Sequence, residues 1–370
     1  MLTVIPYFVR SAAAFVVVLG VLVFVHELGH YLAARWRGVR VETFSIGFGK
    51  AIASWTDRTG TVWKVAWLPL GGYVKLHGQE RPQDVPEEVR ALWVPGQTFH
   101  DKPVLSRAIV VAAGPVANFV LAMVLFAGLF IVLGIPVTQP VVGGVVPDSA
   151  AAKAGLIVND RIVSIGGEPI KTFEDLQHVI TVHPAETLSM TIQRDGTDRQ
   201  IQVTTDSRTA GGHQVGLLGV RGGDVEYRQV SVPVAIWSGI NQTWVITRDT
   251  FSGLAEMIGG GRGTDELGGP LRIAQMSGEI AQLGIASLIS FIGVLSVNLG
   301  LINLFPIPVL DGGHLMFYAA EALRGRPLPQ RAQEYGFRAG LAFLACLFVF
   351  ATWNDLTHFG LFRWVAGLIG

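Results

Sequence analysis

Long apolar stretches alternate with polar ones along this chain. Four of them reach the roughly 20 mainly apolar residues that a membrane-spanning helix needs: about Val4 to Ala34, Ala108 to Ile135, Leu283 to Ala320 and Phe337 to Trp353. Between the second and third the pattern shortens to alternating strands with turn signals, as in Thr187-Leu188-Ser189-Met190-Thr191-Ile192-Gln193 before Arg194-Asp195-Gly196. That predicts a mainly β extramembrane domain. Val41 to Phe48 and Thr61 to Leu76 also alternate, with Gly47, Gly49, Gly71 and Gly72 among them, and predict small sheets on the membrane face. Trp244 to Ile258 reads as an amphipathic helix on the membrane surface, followed by a glycine joint at Gly259-Gly260-Gly261-Arg262-Gly263. The expected fold class is a multi-pass α-helical membrane protein: four transmembrane helices, membrane-associated β-hairpins and one extramembrane, mainly β domain.

The segments then run 1–35 (first span), 36–107 (membrane-associated β region), 108–135 (second span), 136–228 (β domain), 229–282 (amphipathic helix and linker), 283–320 (third span), 321–336 (loop), 337–353 (fourth span) and 354–370 (interfacial tail with Arg363 and Trp364). Arg10 before an apolar run resembles a signal peptide, but the run continues into His26 and Glu27 without a small-residue cleavage site, so it reads as a retained anchor. Arg324, Arg326, Arg331 and Arg338 crowd the short connection between the last two spans and mark it as cytoplasmic. Both termini and the β domain then lie outside the cytoplasm, and residues 36–107 lie inside.

Composition agrees with a lipid setting. Of 370 residues 50% are hydrophobic and 15% charged, with a mean hydropathy of +0.45, against about 25% charged in soluble domains. Lysine plus arginine and aspartate plus glutamate each number 28, so no net basic field exists to hold nucleic acid. The single cysteine, Cys346, read as a buried inert thiol, excludes an intramolecular disulfide and a thiolate metal cage. A metal site must therefore come from His, Asp and Glu.

His26-Glu27-Leu28-Gly29-His30 in the first span offers such a site. Two imidazoles at i and i+4 face one way on a helix and reach one tetrahedral ion, with a carboxylate beside them to act as a base, which is the geometry of a zinc hydrolase. A carboxylate near the centre of a spanning helix costs roughly 2.5–3.5 kcal/mol, so a helix without a polar task should not carry all three. A third ligand is expected from another intramembrane acid or His. Asp311 qualifies, in Asn303-Leu304-Phe305-Pro306-Ile307-Pro308-Val309-Leu310-Asp311-Gly312-Gly313-His314, where two prolines break the third span and the glycines release it. A plain helix cap is the other reading of Asp311, and His314 is a rival donor. The remaining histidines, His77 and His100 among them, show no metal spacing and read as solvated.

Val145-Val146-Pro147-Asp148-Ser149-Ala150-Ala151, Ala154-Gly155-Leu156, Asn159-Asp160-Arg161-Ile162 and Phe173-Glu174-Asp175-Leu176 resemble a bacterial, circularly permuted PDZ domain, with Asn159 where that family usually has Gly. Such a domain binds an extended peptide or a C-terminus at a sheet edge, and Gly216-Leu217-Leu218-Gly219-Val220 resembles its carboxylate-holding loop, with a plain strand and turn as the other reading. Together with the His-Glu-x-x-His pentapeptide, Gly114-Pro115-Val116-Ala117-Asn118 in the second span and Asn303-x-x-Pro306-x-Pro308-x-Leu310-Asp311-Gly312, it makes nearly the whole chain resemble the site-2 proteases. Within them the likeness is to the bacterial branch that regulates sigma-E, whose well-known enterobacterial form has two tandem PDZ domains where this chain has one. The resemblance implies an intramembrane zinc (Zn2+) metalloprotease, with His26, His30 and Asp311 as metal ligands and Glu27 as general base. It implies that Asn303 and Asn298 hydrogen-bond the substrate backbone. The sheet edges around Gly47, Phe48, Gly71, Gly72 and Tyr73 are expected to hold a substrate strand. The implied substrate is a single-pass membrane protein, an anti-sigma factor already trimmed by a first protease, with remnant signal peptides as further candidates. Two other classes compete: a divalent-metal transporter, which needs several polar membrane helices, and a membrane PDZ scaffold with a dead centre.

Overall fold

The computed structural model describes residues 4–80, 85–210, 213–259 and 268–359. The glycine joint from Gly260 and the tail residues Arg363 and Trp364 lie outside them. The chain divides into two units, Met1–Leu129 with Ile236–Gly370, and Phe130–Ala235.

In the first unit, four described helices are long and apolar enough to cross a membrane: within α1 (Val4–Trp36), α3 (Val104–Val132), α8 (Ile285–Leu304) and α10 (Gln330–His358). α2 (Glu87–Arg90) is a single turn between the first two. Gly29 lets α1 cross α3 closely, because a Cβ there would overlap the carbonyl of Ala113. Farther along α1, Val18 and Leu22 bury against Phe291 and Ile292 of α8. At the other end, Ala33, Ala34, Val39, Val41, Leu76, Phe99 and Val110 form one core that ties α1 to the β region and to the start of α3.

The β region is one antiparallel pair, β1 (Val41–Thr56) and β2 (Val62–Leu76), with both strands bent. Phe44 pairs with both Val74 and Trp63, and Ile46 with both Gly72 and Val65, so the start of β1 lies between the two ends of β2. The bends fall at Gly47 and Gly49, with φ of 86° and 90°, and at Gly71. This leaves Gly72–Leu76 as an edge. His77, expected to be solvated, is buried: its Nδ1 meets Glu42 at 2.8 Å and its Nε2 accepts from the Val94 N–H at 2.9 Å. Two polar partners compensate its burial.

The helix expected at 244–258 begins earlier, as α6 (Val232–Ile258), with Pro233 in its first turn where a missing N–H does no harm. Gly239 packs it on Met123 and Ala127 of α3, and Thr243 is buried. α7 (Pro270–Gln282) packs along α1, where Gly278 makes room for Ser11, and its first N–H groups bond to the buried Asp355 of α10. The third apolar segment is two helices, α8 and α9 (Asp311–Arg324), joined by residues 305–310. Gly312 and Gly313 do not loosen this chain: they lie inside α9, where a Cβ on either would overlap carbonyls of Leu304, Phe305 or Ile307. Cys346, expected to be buried, is exposed on α10.

The second unit is mainly β. β3 (Ile135–Thr138) and β4 (Val142–Val145) pair with β12 (Val225–Arg228) and β11 (Val220–Gly222), and a four-stranded sheet runs β6 (Glu168–Pro169), β5 (Arg161–Ile165), β7 (Thr187–Arg194), β8 (Thr197–Thr204). β9 (Asp206–Ala210) and β10 (His213–Leu217) form a hairpin. α4 (Ala150–Lys153) is capped by Ser149, and α5 (Phe173–Thr181) opens with a capping box between Thr172 and Asp175. Ile162, Met190, Ile192, Val203 and Leu176 centre its core. Asn159 stands at φ 73°, a backbone that Asn tolerates, which explains how it replaces Gly. The fold class expected from the sequence is the one observed.

Candidate metal centre

α1 carries His26 and His30 one turn apart, and the 305–310 loop delivers Asp311 to them. The three nearest polar atoms make a small triangle: His26 Nε2 to His30 Nε2 is 3.2 Å, and Asp311 Oδ2 lies 3.1 Å from the first and 3.4 Å from the second. Ligands about 2.0–2.1 Å from a tetrahedral ion stand roughly 3.3–3.4 Å from one another. The observed 3.1, 3.2 and 3.4 Å lie close to that. His30 Nδ1 faces the Val110 carbonyl at 2.9 Å, so the proton of the neutral ring sits there and Nε2 presents a lone pair. Asp311 Oδ2 is buried and makes no hydrogen bond. Lone pairs converging on one buried point repel unless a cation lies between them, so the donor set fits zinc, with its preference for imidazole and carboxylate.

Asp311 reaches this position through a forced backbone. Pro306 and Pro308 end α8, and Val309 then adopts φ 101°, a conformation that a β-branched residue takes at a cost of about 1–3 kcal/mol. Tight packing holds it. α9 presses on the loop through Gly312 and Gly313, and α10 does so through Gly340, where a Cβ would overlap the Pro308 carbonyl. Asp311 is the first residue of α9, and Leu310 before it supplies no side-chain cap.

The triangle opens on a cavity of 850 Å³ lined by Glu27, Gly72, Tyr73, Val74, Asn303 and Asp311 among others. Glu27 thus shares the cavity with the triangle, and the Gly72–Leu76 edge borders it. Gly72 has no room for a side chain, which would meet Ser45, Val23 and Glu27. Other expected substrate contacts lie elsewhere. Phe48 stacks on Tyr73 at 6.1 Å and packs on Gly71, Gly47 faces the backbone of Leu68, and none of Gly47, Phe48 and Gly71 lines the cavity. Asn298 is turned away too, its Oδ1 accepting from Thr250 Oγ1 at 3.1 Å. His314 borders the cavity with its ring 5.3 Å from Phe337, but it is not part of the triangle.

The sequence reading found no task for Gly114 and Asn118, and both touch the site. A Cβ on Gly114 would overlap His30 Nε2 and sit 2.9 Å from His26 Nε2, so only glycine leaves the imidazoles their place. Asn118, fully buried, faces His26 Nδ1 at 3.2 Å. A signal was present: Val110, Gly114 and Asn118 are four residues apart, one face of α3, and an amide inside an apolar helix asks for a partner.

The sequence profile of peptidase family M50 matches residues 14–347. A Rhizobium meliloti (strain 1021) protein, named as a candidate zinc metalloprotease, is 45% identical over 355 residues, covering 92% of this chain and 95% of its own length. Metalloprotease MmpA of Caulobacter vibrioides is 37% identical over 387 residues, covering 95% and 96%. Zinc metalloprotease RasP of Geobacillus kaustophilus is 32% identical over 419 residues, covering 95% and 98%. Among solved structures, the PDZ domain of an SdrC-like protein from Listeria monocytogenes matches 24% of this chain and 87% of that domain, at 19% identity and a TM-score of 0.19.

Proposed function

This chain belongs to peptidase family M50, the zinc-dependent site-2 proteases, and we propose that it hydrolyses a peptide bond in the transmembrane segment of a single-pass membrane protein, with His26, His30 and Asp311 holding the zinc and Glu27 as general base. The observation that carries this is the triangle of His26 Nε2, His30 Nε2 and Asp311 Oδ2, the last buried without a hydrogen bond, beside a cavity that Glu27 also lines. Zinc bound there supplies the Lewis acidity that activates water and polarises a carbonyl. Glu27 takes the proton from the attacking water and returns it to the leaving amine, which changes the amide nitrogen into a good leaving group.

A spanning helix hides its peptide bonds in its own i to i−4 hydrogen bonds, so cleavage requires an unwound stretch. The Gly72–Leu76 edge borders the cavity and offers strand hydrogen bonds in exchange. Of the residues expected to meet substrate, Gly72, Tyr73 and Asn303 therefore remain in that role, with Asn303 binding the backbone near the scissile bond. The substrate class we favour is a trimmed anti-sigma factor of envelope stress signalling, with remnant signal peptides second. The PDZ unit would screen the trimmed substrate by size or by its new C-terminus. The arginines at 324, 326, 331 and 338 support a bacterial inner membrane topology with the termini and PDZ unit in the periplasm and the centre towards the cytoplasm.

The test is cleavage of a single-pass model substrate by the purified full-length protein in detergent. Glu27→Gln is expected to keep its zinc and lose at least the roughly 10²–10⁴-fold that a general base supplies. Turnover within tenfold of wild type in that variant would sink the assignment of Glu27.

A further inference from the structure

We propose that Asn118 is a positioning residue for His26: its amide oxygen accepts the Nδ1–H of His26 and so holds that ring in the tautomer whose Nε2 lone pair faces the metal. The inference rests on the assignment of His26 as a ligand made above. Its basis is the way α3 backs both imidazoles. Val110, Gly114 and Asn118 line up at intervals of four on α3, against His26 and His30 at the same interval on α1. Val110 offers a carbonyl to His30 Nδ1 at 2.9 Å, Gly114 leaves the space for both Nε2 atoms, and Asn118 stands 3.2 Å from His26 Nδ1.

The two histidines thus have matching outer partners on one helix. For His30 the partner is a carbonyl, which can only accept, so Nδ1 carries the proton. For His26 the choice between accepting and donating belongs to an amide, whose oxygen and nitrogen ends have the same shape and exchange places without repacking. The structure sets the amide nitrogen towards His26 Nδ1, which makes Nδ1 the acceptor, puts the ring proton on Nε2 facing Asp311, and leaves the amide oxygen buried without a partner. Turning the oxygen to Nδ1 places the ring proton there and leaves Nε2 as the lone pair that a metal ligand needs, so ligation and not the number of amide hydrogen bonds selects this orientation. The residue is held for this task, because Ser296 of α8 donates its hydroxyl to the Asn118 backbone carbonyl at 2.8 Å. Histidine ligands in metal sites commonly give their second N–H to an acceptor of this kind, which fixes tautomer and ring direction.

The acceptor, and not the shape, is what matters. Asn118→Leu keeps the branched outline and removes the acceptor, and Asn118→Asp keeps an acceptor and removes the donor. Zinc retention is measured in the purified full-length variants by competition with a chromophoric chelator, alongside the Co²⁺ absorption bands of the cobalt-substituted proteins and the unfolding midpoint of the metal-free forms. Asn118→Leu is expected to release zinc roughly 10–100-fold more readily and to lose the tetrahedral Co²⁺ bands, with Asn118→Asp within about threefold of wild type and its bands kept. Asn118→Ala repeats the loss with a different packing defect, so a change in folding alone is separated from a change at the metal. Zinc retention by Asn118→Leu equal to wild type, or Asn118→Asp as weak as Asn118→Leu, would overturn the proposal. His26→Ala is the control for the premise: if it holds zinc as tightly as wild type, the ligand assignment fails, whatever Asn118 does.

Discussion

Asp160 in the β unit and Asp311 in the membrane unit are both aspartates withdrawn from water, and they differ in what the protein has given them. Asp160 receives Nε and Nη2 of Arg194, each at 2.7 Å, and the Ile157 N–H at 2.9 Å. Asp311 faces two imidazole nitrogens across a triangle in which its Oδ2 makes no hydrogen bond. The first is a completed structural contact. The second is polar capacity held open for something that the chain does not itself supply, on a loop strained at Val309. Natural proteins satisfy their buried polar groups almost everywhere, so unsatisfied ones locate function more sharply than burial does.

The largest effect separates the two carboxylates. Asp311→Asn keeps the shape and removes the anionic ligand, so zinc affinity falls by more than the roughly 10–100-fold that outer partners are worth, and cleavage is lost with it. With both proteins metal-free, Asp311→Asn unfolds no earlier than wild type, since no hydrogen bond satisfied Oδ2 before. Asp160→Asn does the reverse. Zinc content and cleavage of a substrate that needs only the membrane unit stay at wild-type level, while the β unit loses on the order of 2 kcal/mol. Hydrogen exchange at Met190 and Ile192 in β7 reads that loss in the full-length protein. Equal zinc loss in both variants would erase the distinction.

Proton linkage gives the next effect. Burial works to raise the Asp160 carboxyl, but the Arg194 hydrogen bonds and the Ile157 N–H outweigh it and hold it below the ordinary carboxylate value. A depressed folded value means that the stability it contributes is fully present above the unfolded value near 3.9, and drains as pH falls through the lower, folded one. Exchange protection in β7 should therefore hold from pH 7 to about 5 and drop below pH 4. At Asp175, exposed at the start of α5, partial desolvation works to raise the carboxyl but the capping-box hydrogen bonds outweigh it, which adds a slope of the same sign. Asp160→Asn should flatten the acid limb without removing it. An unchanged acid limb in that variant would assign the whole dependence to other carboxylates.

The same comparison shows what could be read from the chain. His26, Glu27 and His30 were legible because spacing alone puts them on one face and because lipid makes them expensive. Asp311 was legible because two prolines and two glycines announce irregular backbone at membrane depth. What those glycines do was not: they admit the carbonyls of a loop several residues away in sequence, and close approach is a tertiary fact. Gly114 and Asn118 stayed unexplained for the same reason, since their meaning depends on α3 lying against the histidine face of α1. His77 looked solvated because Glu42 and the Val94 N–H, its partners, are far from it along the chain.

Asn303 and Asn298 give the smallest and most discriminating case. Five residues apart on one helix, they point about 140° away from each other, so a single substrate strand cannot use both in the same way. Asn303 lines the cavity, and Asn298 has its Oδ1 engaged by Thr250 of α6. Removing an uncommitted amide takes away a contact that only substrate completes: Asn303→Ala should lower kcat/KM about tenfold, the 1–2 kcal/mol of one hydrogen bond. Asn298→Ala removes a bond already made within the protein, so kcat/KM should stay within about twofold while the pairing of α6 with α8 weakens by roughly 1 kcal/mol. Thr250→Val breaks the same bond from the other side and should reproduce the Asn298→Ala phenotype. If Asn298→Ala instead matched Asn303→Ala in kcat/KM and Thr250→Val left activity intact, Asn298 would have to leave Thr250 for substrate during the reaction, and a satisfied polar group would no longer mark a residue without a part in the chemistry.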